Sequence, residues 1–140
     1  MQRAILDTNV FVAAGFRPDS ASAHLLRAVS DGRLALVWSE ATRDETRAVL
    51  SRIPRLGWAE AEPLFDPAGR FDAPLDLAPV SFVGDPADRK FAALALATGA
   101  PLVSSDDDLL AHAERLGALK PGAFLRALRA AVADEDGNPP

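Results

Sequence analysis

Four carboxylates far apart in the chain, Asp7, Glu45, Asp88 and Asp106, each stand beside apolar sequence. Asp7 follows Ala4-Ile5-Leu6, and Asp106 follows Leu102-Val103-Ser104-Ser105. Asp88 comes shortly after Phe82-Val83-Gly84, and Glu45 has Ala41, Ala48 and Val49 as its neighbours at helical spacing. A carboxylate next to buried sequence is costly unless something pairs with it. Four of them gathered by a fold would repel one another and demand a cation. An oxygen-only ligand set suits a hard ion, Mg²⁺ or Mn²⁺. One or two such ions lower the pKa of an attacking water and stabilise a leaving oxygen, which is the chemistry of phosphodiester hydrolysis.

Composition narrows the alternatives. The chain has no cysteine, so disulfides, thiol catalysis and thiolate zinc sites are excluded. His24 and His112 both fall on expected helices, which argues against a histidine-rich metal site. A length of 140 residues suits one domain with a core of its own. The net charge of −5 weighs against a nucleic-acid partner, but one or two bound divalent ions would bring it to −3 or −1. Basic residues are also unevenly placed, with Arg43, Arg47, Arg52 and Arg55 close together and Arg89-Lys90 directly after Asp88. The opening residues meet an acid too early for a signal peptide, and the longest apolar stretch, Phe91 to Val103, is too short and too interrupted to cross a bilayer. A cytoplasmic protein without membrane contact is expected.

The elements that would position the acids alternate between strand and helix. Strands are expected at residues 3–7, Leu34–Trp38, Pro79–Val83 and Pro101–Ser104, with an apolar continuation from Val10 to Ala14 after the first. Helices are expected over Ala21–Ser30, from Ser39 as N-cap to about Arg52, over Phe91–Ala97 behind Asp85-Pro86, over Asp107–Leu116 and over Pro121–Val132. Five prolines interrupt residues 54–79, where only Trp58–Phe65 has room for a short helix. The pattern predicts an α/β fold, a three-layer α/β/α sandwich around a largely parallel sheet of four to five strands. Residues 1–133 would form one domain, and 134–140 a disordered tail. Ligands of such sheets bind at the carboxyl ends of the strands, where Asp7 and Asp106 should lie, with Asp88 in the helix turn beyond a third strand.

Each acid has a plainer reading. Asp7 could cap the turn after the first strand, and Thr42 with Glu45 has capping-box spacing, although Ser39 starts that helix a turn earlier. Asp85 reads first as an N-cap, with an outer role at a metal as its second use. Asp88 would be favoured by a helix dipole alone. Asp107 and Asp108 read as solvated acids of a first helical turn. Asn9 and Ser104 are placed to steady carboxylates or a metal-bound water, and Arg43, Arg47 and Arg89 are candidate phosphate contacts.

Taken in order, these segments resemble a known family. Ile5-Leu6-Asp7-Thr8-Asn9-Val10-Phe11-Val12 is similar to the opening motif of PIN-domain ribonucleases, including VapC-like toxins of bacterial toxin–antitoxin pairs. Ser39-Glu40 through Glu45 to Val49-Leu50 resembles the second motif, and Asp85-Pro86-Ala87-Asp88 with Phe91 and Ala95 the third. Val103-Ser104-Ser105-Asp106 with Leu109-Leu110 resembles the fourth, and Lys120 to Leu125 is similar to the close of one subgroup. The likeness spans residues 3–126. It implies a catalytic, metal-holding set of Asp7, Glu45, Asp88 and Asp106, an RNA substrate, a 5′-phosphate product, a homodimer and inhibition by a cognate antitoxin. Two other readings stand beside it. A phosphatase of the haloacid-dehalogenase type also begins on a strand-ending Asp, but needs an acid where Asn9 stands. A catalytically inactive PIN-like module would bind RNA or protein only.

Overall fold

The computed structural model describes residues 1–135. Its sheet is built from β1 (Arg3–Leu6), β2 (Ala35–Leu36), β3 (Leu102–Val103) and β4 (Ala118–Leu119), in the order β2-β1-β3-β4 and parallel throughout. Strands this short hold because both faces are covered. Ala4 and Leu6 of β1 enter one core with Leu36 and Val103, while Ile5 enters the other with Leu102. That alternation is the period-two signature of a strand buried on both sides. The architecture is the expected α/β/α sandwich.

One helical layer holds α1 (Thr8–Phe16), α2 (Ala21–Ser30) and α8 (Pro121–Glu135), with α3 (Glu40–Ser51) and α4 (Trp58–Ala61) beside them. The other holds α5 (Arg89–Thr98), α6 (Asp107–Leu110) and α7 (Ala113–Leu116). Ser20 and Ser39 cap α2 and α3 through their hydroxyls, Ser39 as expected. Gly99, at φ +71°, turns the chain out of α5 into β3, a conformation open to glycine at little cost.

Several expectations are corrected. Pro79–Val83 is no strand: Ala78–Val80 forms a 3₁₀ turn and the chain turns again through Val83. Proline withholds an amide, and Val80 and Val83, three residues apart, both bury against α5 instead of alternating across a sheet. β2 keeps only the middle of Leu34–Trp38, with Trp38 making a single bridge to Arg70. Val10–Ala14 belongs to α1, and Asp107–Leu116 divides into α6 and α7 at Ala111-His112. β4 was not expected, because two residues between Gly117 and Lys120 carry no period. Of the tail from Asp134, the first two residues continue α8, and 136–140 lie outside the described residues.

The loop that covers the edge strand is tightly fitted. A Cβ at Gly69 would fall 1.9 Å from the Leu36 carbonyl oxygen, and Trp38 N donates to the Gly69 carbonyl at 3.0 Å. Gly69→Ala is expected to cost roughly 2 kcal/mol, because the obstacle is backbone that cannot rotate away. A urea midpoint equal to that of the wild type would show that the loop does not press on β2.

Candidate active site

The chain runs outward from β1 to β2 on one side of the sheet and returns to β3 and β4 on the other. The reversal lies between β1 and β3, so a crevice opens at their carboxyl ends. Asp7 and Ser104 are the next residues of these strands after the Leu6–Val103 register pair. They meet as that register requires, with Asp7 N donating to the Val103 carbonyl at 3.1 Å and Ser104 Oγ donating to Asp7 Oδ2. Ser104 Oγ also accepts from the Asp106 amide at 2.9 Å, so one hydroxyl links two of the acids.

Asp7 also caps α1, accepting from Val10 N at 3.2 Å. The capping reading is therefore correct for this residue, and the capping carboxylate also stands at the rim where β1 and β3 end. Asp106 caps α6 by accepting from Asp108 N at 2.8 Å. Asp88 reaches the same rim differently from expectation, through the 3₁₀ turn Pro86–Asp88, and occupies the N-cap position of α5 without forming a capping bond. The turn is closed by Asp85, which accepts from Ala87 N at 2.9 Å, and so does act as an N-cap.

Burial and mutual repulsion mark two of these acids. Asp7 is 3% exposed, and burial pushes its pKa up to about 6. The Ser104 hydroxyl and the amides of Val10 and Asn9 pull against that rise, while Asp106 adds to it. Asp88 is pushed up to about 7, by burial first, then by a hydrogen bond shared with Asp106 and by the charges of Asp106, Asp85 and Asp7. Asp88 Oδ2 is buried without a hydrogen-bond partner. Its neighbour Asp106 is itself a carboxylate and donates only when it carries the proton itself. A buried oxygen among like charges fits a divalent cation, which would replace the missing donor.

Asp85, Asp88 and Asp108 can each bring one oxygen within 4.8 Å of the others. Asp88 is thus shared between an inner pair, Asp7 and Asp106, and an outer pair, Asp85 and Asp108. Asp108 was read as a solvated acid. It is exposed, but it turns towards Gly84, where an added Cβ would lie 3.1 Å from Asp108 Oδ1. The sequence did carry a signal: an Asp two residues after a capping Asp is held by that cap through its own amide.

Glu45 arrives from α3, where Thr42, Thr46 and Leu50 are buried and the capping box is closed by Ser39 and Thr42, leaving Glu45 free of it. Its Oε2 accepts from Thr8 Oγ1 at 3.0 Å, and its Oε1 lies 2.7 Å from Lys90 Nζ on α5. Thr8 and Thr46 were overlooked, and Lys90 was read only as one of a basic pair; Thr42 and Thr46, one turn apart on α3, are the feature that could have found this polar seam. Asn9 is exposed and serves Asp7 through its amide. Arg89 donates to the carbonyls of Val83 and Ser81 at 3.0 and 3.3 Å and so holds the loop before the site. Arg43 lies over the Trp58 ring, 5.1 Å from its centroid, and 3.7 Å from Glu62, whereas Arg47 is exposed on α3.

Residues 3–108 match the family model described as PIN domain, which takes in every acid of this rim. The chain belongs to the PIN-domain family. PIN domains are generally nucleases that use divalent metals, which agrees with an acidic cluster at the switch point of a parallel sheet. No curated protein matches the chain. Among the described residues no helix is long and apolar enough to cross a membrane.

The Ser104 hydroxyl is the natural place to test how the PIN-domain rim is tuned. Ser104→Ala removes a donor that lowers the Asp7 pKa, so that pKa should rise above about 6. Mn²⁺ affinity should fall roughly tenfold to a hundredfold, the usual cost of losing a group that orients a ligand. Calorimetric titration with Mn²⁺ at pH 7 measures it; equal affinities would mean that Ser104 only fills space.

Proposed function

We propose that this PIN domain is a divalent-metal-dependent endoribonuclease, hydrolysing RNA phosphodiester bonds as the toxin of a toxin–antitoxin pair. The observation that supports it most is the acidic rim at the carboxyl ends of β1 and β3, where Ser104 Oγ links Asp7 to the Asp106 amide and Asp88 brings an oxygen within 4.8 Å of Asp85 and Asp108. Asp7, Asp88 and Asp106 would hold Mg²⁺ or Mn²⁺, Asp85 and Asp108 would extend the acidic rim, and Glu45 would add charge from α3. When bound, the ion supplies an activated water and charge compensation at the phosphate. The chain itself fixes the carboxylates before substrate arrives: Ser104 and the α1 amides hold Asp7, and the turn closed by Asp85 holds Asp88. Such preorganisation spares the site a rearrangement during the reaction.

No histidine base is required by this scheme. Arg43 and Arg47 on α3 are the phosphate contacts we assign to the RNA, and Arg89 acts by shaping the loop. The chain would work as a cytoplasmic homodimer. An apolar cleft of about 420 Å³, lined by Phe11, Leu26, Leu50, Leu56 and Leu64, is the surface we assign to the antitoxin; none of the acids of the rim lines it. The family match leaves the haloacid-dehalogenase reading without support. The test is cleavage of a mixed RNA pool with Mn²⁺ and with EDTA. Cleavage by the wild type with metal, and by neither the EDTA-treated protein nor Asp7→Asn, is the expected result. An intact pool under every condition would favour an inactive binding module instead.

A further inference from the structure

Among the described residues, the acids of the rim meet a cation of the chain at one point, the Lys90–Glu45 pair. The two side chains are only 26% and 21% exposed, so the pair is sheltered from the screening that weakens surface ion pairs. Glu45 has no idle oxygen: Lys90 Nζ takes Oε1, and Thr8 Oγ1 donates to Oε2. Thr8 has a single proton. With that proton on Glu45, the 3.0 Å contact between Thr8 and Thr46 is a bond donated by Thr46, and the chain of donors is fully assigned. Thr8 and Thr46 are both buried, which fixes this arrangement in place. Thr8 directly follows Asp7, and Lys90 stands two residues after Asp88. The ion pair therefore ties α3 to the segments that carry Asp7 and Asp88.

We propose that Lys90 is a fixed cation of the site, one that keeps Glu45 out of direct coordination so that the domain takes a single divalent ion. This rests on the metal-dependent reading above. A second ion at Glu45 would have to share or displace one of these partners and would stand beside the like charge of the ammonium. A compact ammonium is the side chain best able to occupy an ion's place, being a point charge with three donors. Lys90 is a positioning residue in this scheme: it sets how many ions bind and where.

The full chain is titrated calorimetrically with Mn²⁺, and the bound ions are examined by electron paramagnetic resonance. The wild type should take one ion per chain with an isolated-ion spectrum. Lys90→Met should take two and show the broadened spectrum of a spin-coupled pair, which a merely structural role for Lys90 would not produce. Lys90→Arg should restore single occupancy. Glu45→Gln in the otherwise unchanged chain should shift affinity by less than about threefold, whereas loss of a true ligand should cost about a hundredfold or more, at least as much as losing a group that only orients one. Two ions in the wild type, a hundredfold loss in Glu45→Gln, or single occupancy in a folded Lys90→Met would each overturn the proposal. Should Lys90→Met fail to fold, the wild-type stoichiometry and Glu45→Gln still decide it. A wild type that binds no Mn²⁺ would instead overturn the metal-dependent reading on which the proposal stands.

Discussion

Asp7→Asn should abolish metal-dependent cleavage and at the same time stabilise the metal-free protein at pH 8. The activity loss should reach roughly a thousandfold, about 4 kcal/mol of transition-state stabilisation, because the substitution removes charge where the reaction needs it. The stability gain has a separate cause. Asp7 is nearly fully buried and titrates at about 6 in the fold, against 3.8 for an ordinary aspartate. Keeping it ionised at pH 8 without a cation costs about 3 kcal/mol on that shift. Asparagine is close to the same shape, still accepts from Ser104, and is as good an N-cap for α1. Thermal melts in EDTA and cleavage assays with Mn²⁺, run on the same preparations, separate the two effects. A variant that is inactive but less stable than the wild type at pH 8 would mean that Asp7 is a structural cap and little else.

The second large effect is a stability that falls as pH rises. Asp7 and Asp88 both have folded-state pKa values above that of an ordinary aspartate, about 6 and about 7 against 3.8. In the window between the unfolded and folded values the native state binds more protons than the unfolded one, so raising the pH disfavours folding. With respect to these groups the metal-free protein should thus be most stable below about pH 4, and should lose that contribution between pH 4 and 7. Above pH 7 the curve should flatten. Saturating Mn²⁺ should reverse the trend, since the ion binds the ionised carboxylates and must displace their protons below pH 6. Urea melts at intervals of one pH unit, with and without Mn²⁺, test this. A metal-free stability that rises between pH 5 and 7 would contradict the shared acidic site.

How much of this the sequence carried depends on the range of the interaction. The Asp7 strand was readable because Ala4-Ile5-Leu6 is a buried run and Asp7 ends it. The Ser39 cap and the α2 span were readable because each is a local rule. Pro79–Val83 misled because an apolar run of that length suits a strand as well as a turn packed against a helix. Burial of Val80 and Val83 on α5 is a tertiary fact that no window of residues contains. β4 was hidden by its shortness, and it exists because β3 offers it a partner. At the site, topology placed Asp7 and Asp106 on one rim before any coordinates. It could not place Lys90 against Glu45, a contact spanning 45 positions between two helices. For Asp108 the local bond to the Asp106 cap was readable, but its approach to Asp88 was not, since that also depends on the turn at Gly84.

Crystals of the full chain grown or soaked in Mn²⁺, with diffraction collected at the manganese edge, test the central claim most directly. An anomalous peak coordinated by Asp7 together with Asp88 or Asp106 is the result expected. A peak held by Asp85, Asp88 and Asp108 with Asp7 untouched, or no peak at saturating Mn²⁺, would contradict a metal site at the junction of β1 and β3.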